Sequence, residues 1–316
     1  MIIKYYDNNY KDKFFCKKVC TRCKSIIWTK LFYDVGNFEM TEPAEIPEIG
    51  DIVVHGNHCG IVCRIFESNQ GVKVYGYDLK GLLNFRYITT YSTEEELVEK
   101  IIKDIAIETL QTGKRKIEGL EVETANENIT DKVSEAYIVE KIKAADAIKN
   151  ISGTYEIGWD ITFQEDKLLF STKKGVDLSK QIVFSKKFRN VEKVEYDKSI
   201  FDSANTVYEG DNVHFEDEEP VGINRRECGL TDSNSTIEEF LKSRKPAETI
   251  KGTANEKMIY GKDYNIGDYV TVMHNNISTM KQITKVEFVY ETCNSKIIPT
   301  LGEIKENILK KIARKV

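Results

Sequence analysis

The chain has 316 residues, 41% of them hydrophobic and 31% charged, and a formal charge of −5, which bounds it to two or three soluble globular domains with separate cores. The negative balance argues against nucleic acid as the main ligand, because phosphate binding needs a concentrated excess of Lys and Arg. No apolar run reaches membrane-spanning length, so no membrane insertion is expected, and the N-terminus carries no secretory signal. Seven cysteines, an odd number, fit reduced thiols better than a disulfide framework, so synthesis and assembly in a cytoplasm are expected.

Residues 1–88 read as strands and turns, with the densest β-forming composition at 25–38, where Ile26, Ile27, Trp28, Phe32, Tyr33 and Val35 cluster. A polar loop with Pro43 and Pro47 leads to Ile49-Gly50-Asp51-Ile52-Val53-Val54-His55. The loop His55-Gly56-Asn57-His58 follows, then a second β-rich stretch at 60–67, and Val72 to Tyr77 alternates like another strand. Thr93 and Glu96 form a capping box that predicts a helix with Leu97, Ile101 and Ile105 on one face. Thr130 or Asp131 caps a second predicted helix running to about Asn150, and Gly153 stops it.

From Thr154 the period returns to two. Residues 155–163 and 168–172 predict a hairpin with Glu165-Asp166 in its turn, and further strands are expected around 182–184, 191–196 and 206–208. Ser235 and Glu238 cap a short helix that ends at Arg244-Lys245 before Pro246. Thr300 and Glu303 cap a terminal helix carrying Ile304, Ile308 and Ile312, with basic residues at its end that complement the helix dipole. The order β, α, β, short α, β, α makes the fold class α+β with β dominant.

One unit is written twice. Ile49-Gly50-Asp51 before its strand returns as Ile266-Gly267-Asp268-Tyr269-Val270-Thr271-Val272, with His274-Asn275-Asn276 as the polar loop and 282–288 as the second stretch. Gly-Asp makes the turn and β-branched residues make the strands, so the pattern points to duplication, although Gly-Asp is also a common hairpin start.

The sharpest chemical signal is Cys16-x-x-x-Cys20-x-x-Cys23, half of a zinc site that His55, His58, Cys59 or Cys63 could complete. No second Cys-x-x-Cys follows at finger spacing, so the competing reading is buried or inert thiols. Cys59 beside His58, and Cys228 after Arg225-Arg226-Glu227, are the candidate nucleophiles. Neighbours along a strand point apart, and nothing places either thiol where its pKa would fall. Glu216-Asp217-Glu218-Glu219 lacks the alternation and glycine of a calcium loop. Arg225-Arg226-Glu227 suits either an intersubunit ion-pair network or a surface cluster. No phosphate loop or dinucleotide fingerprint is present. No catalytic residue, cofactor or metal is therefore expected, with Cys16, Cys20 and Cys23 as weak metal candidates.

Trp28-Thr29-Lys30-Leu31-Phe32-Tyr33-Asp34-Val35-Gly36-Asn37-Phe38-Glu39, then Gly50-Asp51-Ile52-Val53 and Gly60-Ile61-Val62, resemble the opening of a siphovirus tail protein family typified by a ReqiPepy phage product. Gly76, Asp78, Leu79, Leu82, Leu83, Arg86 and Ile88 stand in the arrangement of that family's next segment. Arg225-Arg226-Glu227 and the run from Gly267 to Gly302 also fit. The chain is similar as well to the XkdQ/YqbQ hub-like proteins of prophages and tail-like bacteriocins. The cysteine cluster departs from the family pattern.

The resemblance implies a non-enzymatic baseplate hub protein of a virion or tail-like particle. Two tube-protein-like β-barrel units would be bridged by a mixed α+β insertion, and a homotrimer would adapt the sixfold tail tube to a threefold spike. The expected partners are further copies of the chain, the tail tube or tube-initiator protein, the spike and the tape-measure protein. The expected domains are a first barrel unit at 1–92, a helical insertion at 93–152, a β-rich middle at 153–234 and a second barrel unit with flanking helices at 235–316. The alternatives are a tail-associated peptidoglycan hydrolase and a metal-dependent binding module.

Overall fold

The computed structural model describes residues 1–7, 14–133, 136–164, 167–216, 218–230, 237, 240–241, 244–254, 257–274, 277–292 and 294–302. The first seven strands are β1 (Ile3–Tyr6), β2 (Cys16–Cys20), β3 (Cys23–Leu31), β4 (Asn37–Pro43), β5 (Ile52–His55), β6 (His58–Ser68) and β7 (Gly71–Asp78). After a 3-10 turn, Leu79–Phe85, come β8 (Tyr87–Thr93), α1 (Val98–Leu110), β9 (Leu120–Val122), β10 (Tyr137–Lys143), α2 (Ala144–Tyr155), β11 (Ile157–Gln164) and β12 (Lys167–Lys174). The remainder holds β13 (Val183–Ser185), β14 (Val191–Ser199), β15 (Thr206–Glu209), β16 (Asn212–His214), β17 (Glu227–Gly229), β18 (Ala247–Ala254), β19 (Tyr269–His274), β20 (Ile277–Glu291) and β21 (Asn294–Gly302). The fold is α+β and dominated by strands, as the sequence periodicities predict.

Among the described residues the main sheet follows the order β14-β18-β21-β20-β3-β4-β7-β6-β5-β1-β2, with β19 pairing β20 and β13. That path contains one topology twice. The first unit has the order β3-β4-β7-β6-β5 and the second β14-β18-β21-β20-β19, each taken up by the chain in the same sequence and each antiparallel throughout. A β-bulge falls at the same place in both, between Val62 and Arg64 and between Ile283 and Lys285. Where β3 passes to β4 through a few residues, the second unit inserts the small sheet β16-β15-β17 and a helical segment containing Phe240 and Leu241, which pack on Val207. The strand path is open, and neither unit closes on itself by hydrogen bonding among the described residues.

Two large cores result. One lies between the helices and the β11–β12 hairpin, with Ile101, Ile105, Ala147, Ile148, Trp159 and Phe170 fully or almost fully buried. The other spans both units and includes Trp28, Phe38, Val62, Val270, Ile283 and Phe288.

Several local expectations yield to strand pairing. Thr93 is not a helix cap: it ends β8, opposite Tyr137 of β10. α1 begins at Val98 behind Leu97, whose N–H donates to Glu96 Oε1 at 3.0 Å. Asp131 does not open a second helix; its carbonyl accepts the Val98 N–H at 2.9 Å and so finishes α1. Residues 137–143, read as helix, form β10, because Tyr137, Ile138, Val139 and Ile142 fit the ladder on β8. α2 passes through Gly153 and stops at Glu156, whose φ of 56° is left-handed. Thr300 is a buried strand residue opposite Lys285 rather than a cap. The predicted hairpin forms as β11 and β12, opening at Ile157 rather than Tyr155 because α2 runs through Tyr155, while its Glu165-Asp166 turn, the Ser235–Glu238 capping box and the terminal helix lie outside the described residues. β13 and β14 join the second unit's sheet.

Candidate functional site

The repeated Ile-Gly-Asp turns are built alike to the level of single hydrogen bonds. Gly50 and Gly267 have φ of 89° and 98°, a conformation open to glycine. The Gly50 N–H donates to Val62 O at 2.9 Å and the Gly267 N–H to Ile283 O at 2.7 Å. Val62 N–H and Ile283 N–H return bonds to Asp51 O and Asp268 O, both at 2.9 Å. The aspartate side chains close the turns: Oδ2 of each accepts the N–H three residues earlier, from Glu48 and from Asn265, both at 2.8 Å. The carboxylates differ in their second partner. Asp51, 1% exposed, takes the Lys17 ammonium at 2.8 Å, whereas Asp268 takes the Val176 backbone N–H at 3.0 Å.

The units are joined by strand addition. Beyond the Gly267 turn, residues 285–291 of β20 carry β21 on one side and β3 on the other, with Lys285 opposite Leu31 and Phe288 opposite Trp28. Phe32 N–H extends the ladder to Thr284 O at 2.9 Å, and the Phe32 ring lies on Gly267, where a Cβ would come within 2.2 Å of it. The corresponding arm of β6, residues 64–68, pairs with β7 on one side and, among the described residues, with no strand on the other. The outer edge of β14 is likewise without a strand partner among the described residues.

The residues singled out for chemistry do not converge. Cys16 is exposed on β2, while Cys20 and Cys23 are buried and donate to the carbonyls of Arg22 and Ser25 at 3.0 and 3.1 Å. Burial, with Cys20 adding, pushes the Cys23 thiol up to about 11. Among the described residues no three His, Cys, Asp or Glu side chains group as metal ligands. His58 and Cys59 point to opposite faces, as neighbours on a strand do. The His58 ring lies 4.4 Å from Phe288, with Nε2 3.0 Å from the Tyr290 hydroxyl, and burial pushes its pKa down to about 3. Cys59 faces the helical core with its thiol toward Ile161 O, and burial pushes it up to about 12. Cys228 is half-buried on β17 beside Val207. Arg225 spends its donors inside the chain, on Glu219 at 2.6 Å, Glu227 at 2.5 Å and the Tyr208 hydroxyl.

Sequence reasoning missed a buried polar node that ties the sheet to the insertion. Asp78 accepts the Gly36 N–H at 3.0 Å and donates its own backbone N–H to Gly36 O at 3.1 Å. Lys80, almost wholly buried, donates to Leu31 O at 2.8 Å and lies 4.3 Å from the centre of the Trp159 ring. Trp159 Nε1–H donates to Tyr33 O at 3.0 Å, and Lys30 pairs with Asp160 at 3.2 Å. Burial pushes the Asp78 carboxyl up to about 7, so it takes up a proton far more readily than a surface aspartate. Burial holds the Lys80 ammonium below its ordinary range. Polar residues within an apolar run (Tyr77-Asp78-Leu79-Lys80) were the signal available in the sequence.

The family model of Siphovirus ReqiPepy6 Gp37-like proteins matches residues 10–219. No protein of curated function matches the sequence. Among solved structures, the tail protein from Neisseria meningitidis MC58 is 14% identical, with a TM-score of 0.58 over 95% of this chain and 96% of that one. Prophage tail protein gp18 from Listeria monocytogenes EGD-e is 13% identical, with a TM-score of 0.57 over 99% and 97%. A chain of the p2 virion baseplate in its activated conformation is 13% identical, with a TM-score of 0.54 over 96% of this chain and 100% of that one. At these identities the likeness is one of fold.

Proposed function

Because this chain belongs to the siphovirus ReqiPepy6 Gp37-like family of tail proteins, we propose that it is a structural subunit of a baseplate hub. The observation that carries this reading is the pair of units with one strand order, one turn and one bulge in a single chain. Three copies then present six alike walls to a sixfold tail tube and three repeats to a threefold spike. Each unit acts as a tube-protein-like barrel wall, residues 93–152 and the middle sheet brace the pair, and the tube or tube-initiator, spike and tape-measure proteins are the neighbours. The fold shared with a chain of the p2 virion baseplate supports the same placement.

The work of such a subunit is mechanical. A Cys59 thiol raised to about 12 inside a core, and a His58 facing the other way, do not form the thiol–imidazole pair that a hydrolytic mechanism would need there. Native mass spectrometry of the purified chain, with cryo-electron microscopy of tail particles, tests the reading. The expected result is a homotrimer forming a ring; a strictly monomeric state in both preparations overturns it. Zymography on peptidoglycan should show no clearing, and lysis abolished by Cys59→Ala or Cys228→Ala would point to a hydrolase instead.

A further inference from the structure

The two units match residue for residue, and the match shows how a second copy of this chain would dock. Val62 and Ile283 make the same two bonds to their Gly-Asp turns, so Arg64, past the bulge, corresponds to Lys285. The ladders carry the correspondence outward. Val62 stands opposite Gly76, Gly76 opposite Phe38, and Phe38 opposite Trp28. In the same places Ile283 stands opposite Leu301, Leu301 opposite Ile250, and Ile250 opposite Tyr196. Trp28 therefore corresponds to Tyr196, and Leu31, three residues on, to Ser199. Within the chain β3 of the first unit adds to the β20 arm of the second. The counterparts, β14 of the second unit and the β6 arm of the first, are the two edges without strand partners among the described residues.

We infer that β14 of one copy adds antiparallel to residues 64–68 of β6 in the next copy, repeating between chains the junction that β3 and β20 make within one. This inference rests on the hub reading above and assigns its subunit interface. The internal register, Leu31 opposite Lys285 and Trp28 opposite Phe288, transfers as Ser199 opposite Arg64, Lys198 opposite Ile65, Asp197 opposite Phe66 and Tyr196 opposite Glu67.

Two independent features of the free edges agree with such a junction. The first is charge. Asp197 falls diagonally from Arg64 on one face and Lys198 diagonally from Glu67 on the other, so opposite signs meet on both faces; a slip by one residue would move the partners to opposite faces, and a shift by two would keep only one of the two pairs. The second is apolar surface. Phe32, which seals the internal junction against Gly267, is 2% exposed. Its counterpart Ile200 is 56% exposed and Phe66 on the β6 arm 43% exposed, so the unfilled junction leaves apolar side chains in solvent. Docking would set Ile200 on the Gly50 turn of the next copy. The contact is head-to-tail, so repeating it generates a ring when the rotation closes, and closure removes both bare edges at once.

Charge reversal and cross-linking test the register. Arg64→Asp or Asp197→Arg alone should weaken self-association about tenfold or more, since each places like charges in every junction of the ring, and the double variant should return to within about twofold of the parent. In chains carrying Ile65→Cys and Lys198→Cys, mild oxidation should join the two substituted positions between subunits, with peptide mapping separating this bond from the native thiols. Trimers that tolerate both single reversals and yield no bond between positions 65 and 198 would overturn this interface and leave the hub reading intact. A parent chain that associates neither in solution nor in tail particles would overturn both.

Discussion

The first and second units share a topology and differ in what finishes them. In the first, the outer edge of β3 is covered by β20, the Gly-Asp turn is locked by a lysine, and the hairpin carries His55 and His58. In the second, the outer edge of β14 is bare among the described residues, the turn is locked by a backbone N–H, and Gly267 lies under Phe32. The contrast separates what the unit needs in order to fold, the turn and the bulge, from what joins one unit to another. Features common to both belong to the first class. The strand edge that is covered in one unit and bare in the other belongs to the second.

The largest expected effect is at the junction. Gly267→Ala forces a Cβ into Phe32 at 2.2 Å and places alanine at a φ of 98°, and should destabilise the chain by about 3 kcal/mol or more. Gly50→Ala shares the backbone cost, so the difference between the two variants in urea unfolding reports what the Phe32 contact adds. Relief of the Gly267→Ala defect by Phe32→Leu would sharpen that assignment; no relief would place the whole cost in the backbone.

A smaller effect is expected at the turn partner that only the first unit has. Lys17→Met leaves the buried Asp51 carboxylate without its cation and should cost about 1–2 kcal/mol. Adding Asp51→Asn should recover much of this, because the amide still accepts the Glu48 N–H and needs no counter-charge. A double variant as unstable as Lys17→Met alone would mean that the lysine acts through packing.

The smallest, per pH unit, is a pH dependence centred on the first hairpin. His58 is held neutral by burial, with a pKa pushed down from 6.5 to about 3. A depressed histidine pKa means that the unfolded chain binds the proton first, so the stabilisation is complete above about pH 6.5 and is lost as pH falls toward 3. Between pH 6.5 and 5.5 the slope should approach but not exceed about 1.4 kcal/mol per pH unit from this residue. His58→Gln should flatten it, and an unchanged slope would assign the acid sensitivity elsewhere. Asp78 works in the opposite sense: its raised pKa makes the folded chain bind a proton more tightly, so that contribution is lost as pH rises toward about 7.

What the sequence settled by itself were features whose physics is local. Glycine at positive φ followed by an aspartate that caps its own turn is a short-range device, so the repeated Ile-Gly-Asp marked both turns correctly. Residues 157–172 alternate strongly enough to announce their hairpin, and the β-dominant α+β class followed from period alone. What the tertiary structure decided were choices between partners. Residues 137–143 are strand because β8 offers a ladder, and the Thr93 capping box is overridden by the same pairing. Cys20 and Cys23 turn to backbone carbonyls, and the Asp78–Lys80 node gathers residues from β3, β7 and β11. The pairing of Trp28 with Phe288 spans most of the chain, and no local pattern encodes it. Strand edges are generic hydrogen-bonding surfaces, and only the assembled sheet determines which are filled within the chain and which are left for a neighbour.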